Sequence, residues 1–541
     1  MQARTLPILF TISSGDNNQG PRIFLTVPPA TAKNVLSMGG VENYRQNQST
    51  CNESLSDDFR NIPRIGSHGT KIPGYFKPDL VAPASMIVST KSQWNPALEL
   101  GYCLEHLSGN LYAMGSGTSF AAPAAAGAAI LVKRYLGTSP SDVSPAGVKA
   151  VLIAGARSVR GGVDRSCEPF DSPCHATPNL PVGPIPNTQQ GFGRLSLDSV
   201  LTGATPPVLI DQSAGRHFTT SGQTRTTRLT VRDPSKPIVV ALVWTDAPGT
   251  ANIDPDHLVI PLANNLDLTI FPVETTCRYM QGNYLVVGNP DRGEESPTAL
   301  CDPGGPAHVD SVNNVEYARF FANGFTQFDV RVAGSAINYV GDPGYSTANN
   351  QDFALVVLNA DLVNGGQIIP PQLTAARDPV TPGTVHLSWT EPLNMIVDHY
   401  DVKRGSTLAS IATVYPNVPG NTRTNDDIGL PSGVNTWVYK VTAVGTSTPA
   451  DSNVNIATTI KFDDDPLMRS LPRSVLTTRS NCGRLSTRFA APRGWALQTG
   501  LTAHRFKAFS SRRSTSHRCK VSSVGLSMLL TSTYRRTRTR R

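Results

Sequence analysis

Ser119 stands in the run Gly115-Ser-Gly-Thr-Ser-Phe-Ala-Ala-Pro-Ala-Ala-Ala-Gly127, a glycine-flanked serine at the junction between a loop and a helix that continues through Leu136. Such a junction exposes a hydroxyl. The backbone N–H groups of the first helical turn have no partner inside the helix, and the helix dipole favours negative charge there. These are the needs of a nucleophile whose reaction passes through an oxyanion; from the residues alone, a plain N-capping serine is the alternative. Small residues at 121, 122 and 124–128 let the helix approach its neighbours closely, and Pro123 is compatible with a helix only near its start.

The elements that must hold this serine are legible around it. Residues 6–12 read as a buried strand ended by the turn-rich cluster 13–20, and residues 35–41 as a second short strand. Further on, the runs 227–232, 238–245, 266–270, 328–332 and 353–358 are strand-like and separated by turn residues, which predicts an antiparallel β-sandwich over 207–363. Residues 368–372 read as a linker to another strand series over 370–460, with Trp389, Tyr400 and the segment 437–443.

A chain of 541 residues has room for three or four domains of about 150 residues. It holds no run of about 18 apolar residues, so no transmembrane helix is expected and no membrane partner. The formal net charge of +8 would point to a polyanionic partner if it were spread over a folded surface. It is not: 17 of the 48 basic residues lie in 469–541, which contains no Asp or Glu, leaving 31 basic against 40 acidic residues and a net −9 in 1–468. Nucleic acid is therefore not expected as a partner of the folded part. The tail 465–541 reads as unstructured, with the character of a shifted reading frame rather than of a packed domain; a polyanion-binding arm is the other reading.

Six of the eight cysteines precede the tail: Cys51, Cys103, Cys167, Cys174, Cys277 and Cys301. None has a zinc-finger spacing, and an even number in loop-rich surroundings suits disulfides and a secreted, extracellular setting. Pairing 51–103, 167–174 and 277–301 is one of 15 possibilities, with free thiols as the alternative. No secretory signal is read at the start, so either export is absent or the true N-terminus lies upstream.

Gly117-Thr-Ser-Phe-Ala-Ala-Pro123, with Gly127, resembles the nucleophile segment of the subtilisin-like serine proteases. In that family's order, 28–39 resembles the strand after the oxyanion loop, 77–83 a segment preceding the serine, and 148–153 and 190–195 segments that close the domain. The resemblance implies a multidomain chain: a partial α/β subtilisin-like domain (parallel sheet with helices) over 1–203, two all-β sandwiches, then the unstructured basic tail. It implies peptide hydrolysis of protein or peptide substrates through an acyl-enzyme on Ser119, with the Ser119 N–H in the oxyanion hole and no required cofactor.

Two departures qualify this. The family's catalytic Asp and His precede the oxyanion loop and are not found here, so the chain by itself is expected to be inactive, and its half domain unstable with exposed apolar surface. Ser67-His-Gly-Thr70 looks like the family's His motif, but its place after the loop argues against His68 as base. The oxyanion loop reads Ser14-Gly15-Asp16 where the family has Ala-Gly-Asn, putting Asp16 in the donor's position, or Asn17 if the register slips by one. The rival reading is a pseudoprotease that binds or adheres through its β-modules.

Residues 243–246, 264–268 and 313–316 resemble the β-sandwich attached to many bacterial secreted subtilases, in which Asp246, Asp267 and Asp352 are candidate calcium ligands or solvated turn carboxylates. Residues 370–460 resemble a fibronectin type III domain, with Trp437 where the corner tyrosine usually stands; this implies adhesion, substrate presentation or a spacer.

Overall fold

Three short strands lie parallel in the order β1 (Thr11–Ser13), β2 (Leu36–Val41), β3 (Leu80–Pro83), with Ile12 opposite Ser37 and Gly39 opposite Val81. Every residue of β2 is buried, the pattern of a strand covered on both faces, and its Leu-Ser-Met-Gly-Gly-Val run accordingly lacks strict alternation. This computed structural model describes residues 8–16, 25–44, 58–63, 66–90, 111–136, 143–165, 180–201, 206–211, 217–249, 262–273, 278–289, 292–300, 309–342, 347–431, 436–445 and 448–459. The expectations for Asn17, for all eight cysteines and for the basic tail lie outside the described residues.

Helix α1 (Thr118–Leu136) packs on this sheet through Ala121, Ala125, Ala128, Ala129 and Val132, whose small size permits close approach. Helix α2 (Pro145–Gly155) begins with two start signals. Pro145 opens it, and the Ser144 hydroxyl accepts from the Gly147 N–H at 2.9 Å. Every residue from Ala146 to Gly155 is buried.

The reason lies in the next layer. The strands Val315–Phe320, Ile238–Val243, Ala354–Leu358 and Val208–Ile210 form one antiparallel sheet in that order. A second antiparallel sheet runs Ala299–Leu300, Arg278–Gln281, Asn265–Pro272, Gln327–Ala336, Thr224–Val231, Ala360–Leu362. Along Ile238–Val243, residues 238, 240 and 242 enter the core between the sheets, while 239, 241 and 243 join α2 in a second core. The first sheet is therefore apolar on both faces, and α2 is enclosed between it and the α1 layer. Asp211, next to this sheet, accepts from the Ser144 N–H at 2.7 Å and from its hydroxyl at 2.6 Å, so the sandwich itself holds the start of α2.

The last strands form two further antiparallel sheets: Leu373–Arg377, Val385–Trp389 and Thr424–Asp427; and Ala412–Pro419, Val397–Gly405 and Thr436–Gly445, the last edged by Ala450–Asp451 and Asn455–Thr458. Their shared core includes Trp389 against Tyr400, ring centroids 5.3 Å apart. The Tyr439 hydroxyl donates to Asp427 at 2.8 Å, while Trp437 carries the Arg404 guanidinium on its ring. Residues 368–372 are not a loose tether: Ile369 bridges Leu393, Ile396 enters the core of the preceding sandwich, and Glu391 pairs with Arg331 at 2.8 Å.

Candidate active site

Three loops converge on the start of α1. The loop after β1 is pinned when the Ser14 N–H donates to Met38 at 2.8 Å and the Ser67 N–H donates to the Gly15 carbonyl at 2.8 Å. The loop 66–69 is fixed in turn by the Gly69 N–H on the Lys77 carbonyl at 2.7 Å. The approach to the helix is held by the Gly117 N–H on the Ala84 carbonyl at 2.7 Å and by the Met86 N–H on the Ser116 hydroxyl at 2.8 Å.

At the helix start, one Asp16 oxygen accepts from the Thr118 N–H at 2.7 Å and from the Thr118 hydroxyl at 2.8 Å, while that hydroxyl accepts from the Gly15 N–H at 3.2 Å. Asp16 thus caps α1 from another loop, where a carboxylate interacts favourably with the helix dipole. The approach is close enough to require glycine at 117. Its φ is +154°, and a β-carbon there would lie 2.8 Å from the second Asp16 oxygen. The Phe120 N–H turns back to the Gly117 carbonyl at 3.0 Å. The N–H and hydroxyl of Ser119, which is exposed, have no partner among the described residues. An exposed hydroxyl beside an unengaged N–H is what a nucleophile with an oxyanion donor needs.

The other residues named from the sequence fall as follows. His68 is turned to Asp164, Nε2 to Oδ2 at 3.2 Å, an oxygen that also accepts from the Gln189 amide at 2.9 Å. Asp16 is placed as an acceptor rather than as a donor to an oxyanion. Asp246, Asp267 and Asp352 are not gathered into one calcium site. Asp246 is enclosed by Lys33 Nζ at 2.6 Å and by the N–H groups of Ala247, Ala263 and Asn264. Asp267 bonds Ser335 and Asn265, and burial pushes its carboxyl up.

Beneath the loops lies a buried charge cluster that sequence reasoning missed. Asp79 pairs with Lys77 and Lys149, each at 2.9 Å, and accepts from the Ser37 N–H at 2.7 Å. Burial pulls the Lys77 ammonium down to about 8. Burial works the other way on Asp79, but Lys149 and Lys77 outweigh it and hold the carboxyl below its usual range. Lys149 also donates to the Val35 carbonyl at 2.9 Å, so this cluster ties α2 to the strands that carry the loops. The signal was present in Lys77-Pro-Asp79, but Lys149 lies 70 residues away on a helix that otherwise reads as apolar.

Known proteins resemble the segment that carries this site. The subtilase family model (Peptidase S8) matches residues 1–193. The serine protease/ABC transporter B family protein tagA of Dictyostelium discoideum is 25% identical over 319 residues, covering 57% of this chain and 16% of that protein. A second protein of the same description, tagD, is 28% identical over 293 residues, covering 47% and 15%. The serine protease AprX of Bacillus subtilis (strain 168) is 28% identical over 154 residues, covering 28% and 31%. The chain spans less than a third of the length of each of these relatives. Residues 1–193 are a subtilase-family sequence, of the serine-peptidase type.

Proposed function

We propose that residues 1–203 are the serine-bearing part of a subtilisin-like α/β peptidase domain, hydrolysing peptide bonds in protein or peptide substrates through an acyl-enzyme on Ser119. The carrying observation is the exposed Ser119 at the start of α1, its hydroxyl and N–H both unengaged among the described residues. Attack at a carbonyl also needs a general base on the hydroxyl. His68 Nε2 is turned to Asp164 and no base is seen on the Ser119 hydroxyl among the described residues, so we read this chain by itself as inactive.

The modules that follow are read as a subtilase-associated β-sandwich over 207–363 and a fibronectin type III-like domain over 370–460, in a secreted protein. The tagA alignment, at 319 residues, is longer than the 193-residue family segment, which supports treating the first sandwich and the peptidase segment as one unit. Asp16 favours a second reading, a non-catalytic binding protein. Its carboxylate stands at the helix start, where an oxyanion would develop, and loss of one oxyanion donor typically costs about 10²–10³ in rate.

The test is fluorophosphonate labelling of the purified chain with peptide mapping, with and without imidazole as an external base. Labelling of Ser119 only with imidazole, enhanced in Asp16→Asn and absent in Ser119→Ala, is expected. Labelling without imidazole overturns the inactivity of the chain. No labelling in any condition removes Ser119 as nucleophile and leaves the binding reading.

A further inference from the structure

At the junction of the two sheets of the first sandwich, three distant segments meet. His217 precedes the strand Thr224–Val231, Asp342 follows Gln327–Ala336, and Asp352 precedes Ala354–Leu358. An antiparallel bridge between Phe218 and Gln351 and a parallel one between Val340 and Asn350 bring them together. One ligand atom from each side chain lies within 4.8 Å of the other two, and His217 Nε2 is 3.1 Å from Asp342 Oδ2. His217 and Asp352 are only 5% and 2% exposed, while Asp342 is half-buried and opens the group to solvent.

The backbone around these side chains is fixed before any ion arrives. Phe218 and Gln351 exchange both N–H···O bonds at 2.8 Å. The Gln351 amide donates to the Thr245 carbonyl at 3.1 Å and to the Asp352 carboxylate at 3.2 Å, while its oxygen accepts from Asn264 at 3.0 Å. The Asn350 side chain accepts from the Asp342 N–H, and Gly341 packs so closely on Asn350 that a β-carbon would fall 2.2 Å from its carbonyl oxygen. Of these, the Gln351 amide on the Asp352 carboxylate is the kind of hydrogen bond that orients a ligating group.

We propose that His217, Asp342 and Asp352 bind one divalent ion of the Zn²⁺ class. Two ligands on an ion at about 2.1 Å stand about 3.0 Å apart at a right angle and about 3.4 Å apart at the tetrahedral angle, which brackets the His217–Asp342 spacing. The set contains an imidazole nitrogen, which suits zinc; calcium takes six to eight oxygens. The ion would neutralise two carboxylates in a largely buried place and staple the segments at 217, 342 and 352 to one another. This goes beyond the peptidase reading and does not depend on it.

The test uses the full chain, freed of metal with a chelator and titrated with ZnCl2 or CaCl2 by calorimetry and thermal melting. The chain's eight cysteines can also take zinc, so the readout is the difference between wild type, Asp342→Asn and His217→Gln. One equivalent of zinc fewer, and loss of the zinc-dependent rise in Tm, is expected in both variants. Asp342→Asn is isosteric and half-exposed, so it serves if His217→Gln does not fold. Should neither fold, Co²⁺ loading of the wild type decides: visible bands that survive thiol alkylation support the site, and their absence overturns it. Unchanged zinc stoichiometry and Tm rise in a folded variant reduce the group to an ion pair. An equal rise with CaCl2 in the wild type also overturns the proposal.

Discussion

Helices α1 and α2 are both rich in alanine and glycine, yet their surroundings differ completely. α2 is buried from Ala146 to Gly155, one side against the α1 layer and the other against the odd-numbered face of Ile238–Val243. α1 buries one stripe and leaves Ile130 68%, Leu131 54% and Tyr135 40% exposed on the other. The exposed apolar side chains expected for this region include these three on α1, the helix with Ser119 at its start, besides others such as Leu111 and Tyr112. The sandwich supplies α2 with the second wall that α1 lacks among the described residues. What reads in the sequence as an appended module is a layer of the core.

The contrast can be broken most directly with a charge on each helix. Ala150→Asp places an unpaired carboxylate in the enclosed layer and is expected to cost more than about 4 kcal/mol, abolishing the cooperative urea transition. Ile130→Asp on α1 should stay within about 0.5 kcal/mol. If both destabilise alike, the outer face of α1 is covered in solution.

A smaller but still large effect is expected at the Lys33–Asp246 pair, which crosses from the segment before β2 to the sandwich with both side chains buried. Lys33→Ala leaves Asp246 without its cation and should cost about 3–5 kcal/mol. Trp244, buried two residues from Asp246, reports it by fluorescence in urea. A loss that spares the far-UV transition of the helices would show that the two regions unfold separately.

The smallest effect serves as a control far from both helices. His386 bonds Asp426 at 2.6 Å and pairs with Asp378 at 3.1 Å; the hydrogen bond to Asp426 is the main cause raising its pKa above 6.5. A raised folded-state pKa contributes stability that is complete below about pH 6.5 and is lost as the pH rises through the higher folded value. A small fall in Tm on going from pH 6 to 8, absent in His386→Asn, is expected in differential scanning calorimetry. The ring is nearly half-exposed, so solvent screens the effect. A rise in Tm over the same range would contradict the assignment.

The strands of the first sandwich were legible where one face is apolar. Asn265–Pro272 and most of Gln327–Ala336 alternate buried and half-buried residues, the period-two signal that placed strands at 266–270 and 328–332. Val315–Phe320 was read only as part of a motif, because Glu316 and Arg319 interrupt its apolar pattern. Glu316 is nonetheless buried, accepting from the Leu268 N–H at 2.6 Å, and burial drives its carboxyl well above the usual range. A buried acid looks like a surface acid until its neighbours are known.

The same division runs through the sites. Local chemistry alone placed Ser119 at an exposed helix start, because glycine, small residues and the helix start are adjacent in the chain. Sequence also set the charge balance, −9 before the tail, and the period of the strands. Only the tertiary structure decided that Asp16 caps α1 as an acceptor, that Lys149 and Asp79 share a buried pair, and that His217 meets Asp342 and Asp352 across 125 and 135 residues. Each of these depends on strand pairing and layer stacking between distant segments, for which neighbouring residues carry no periodic signal.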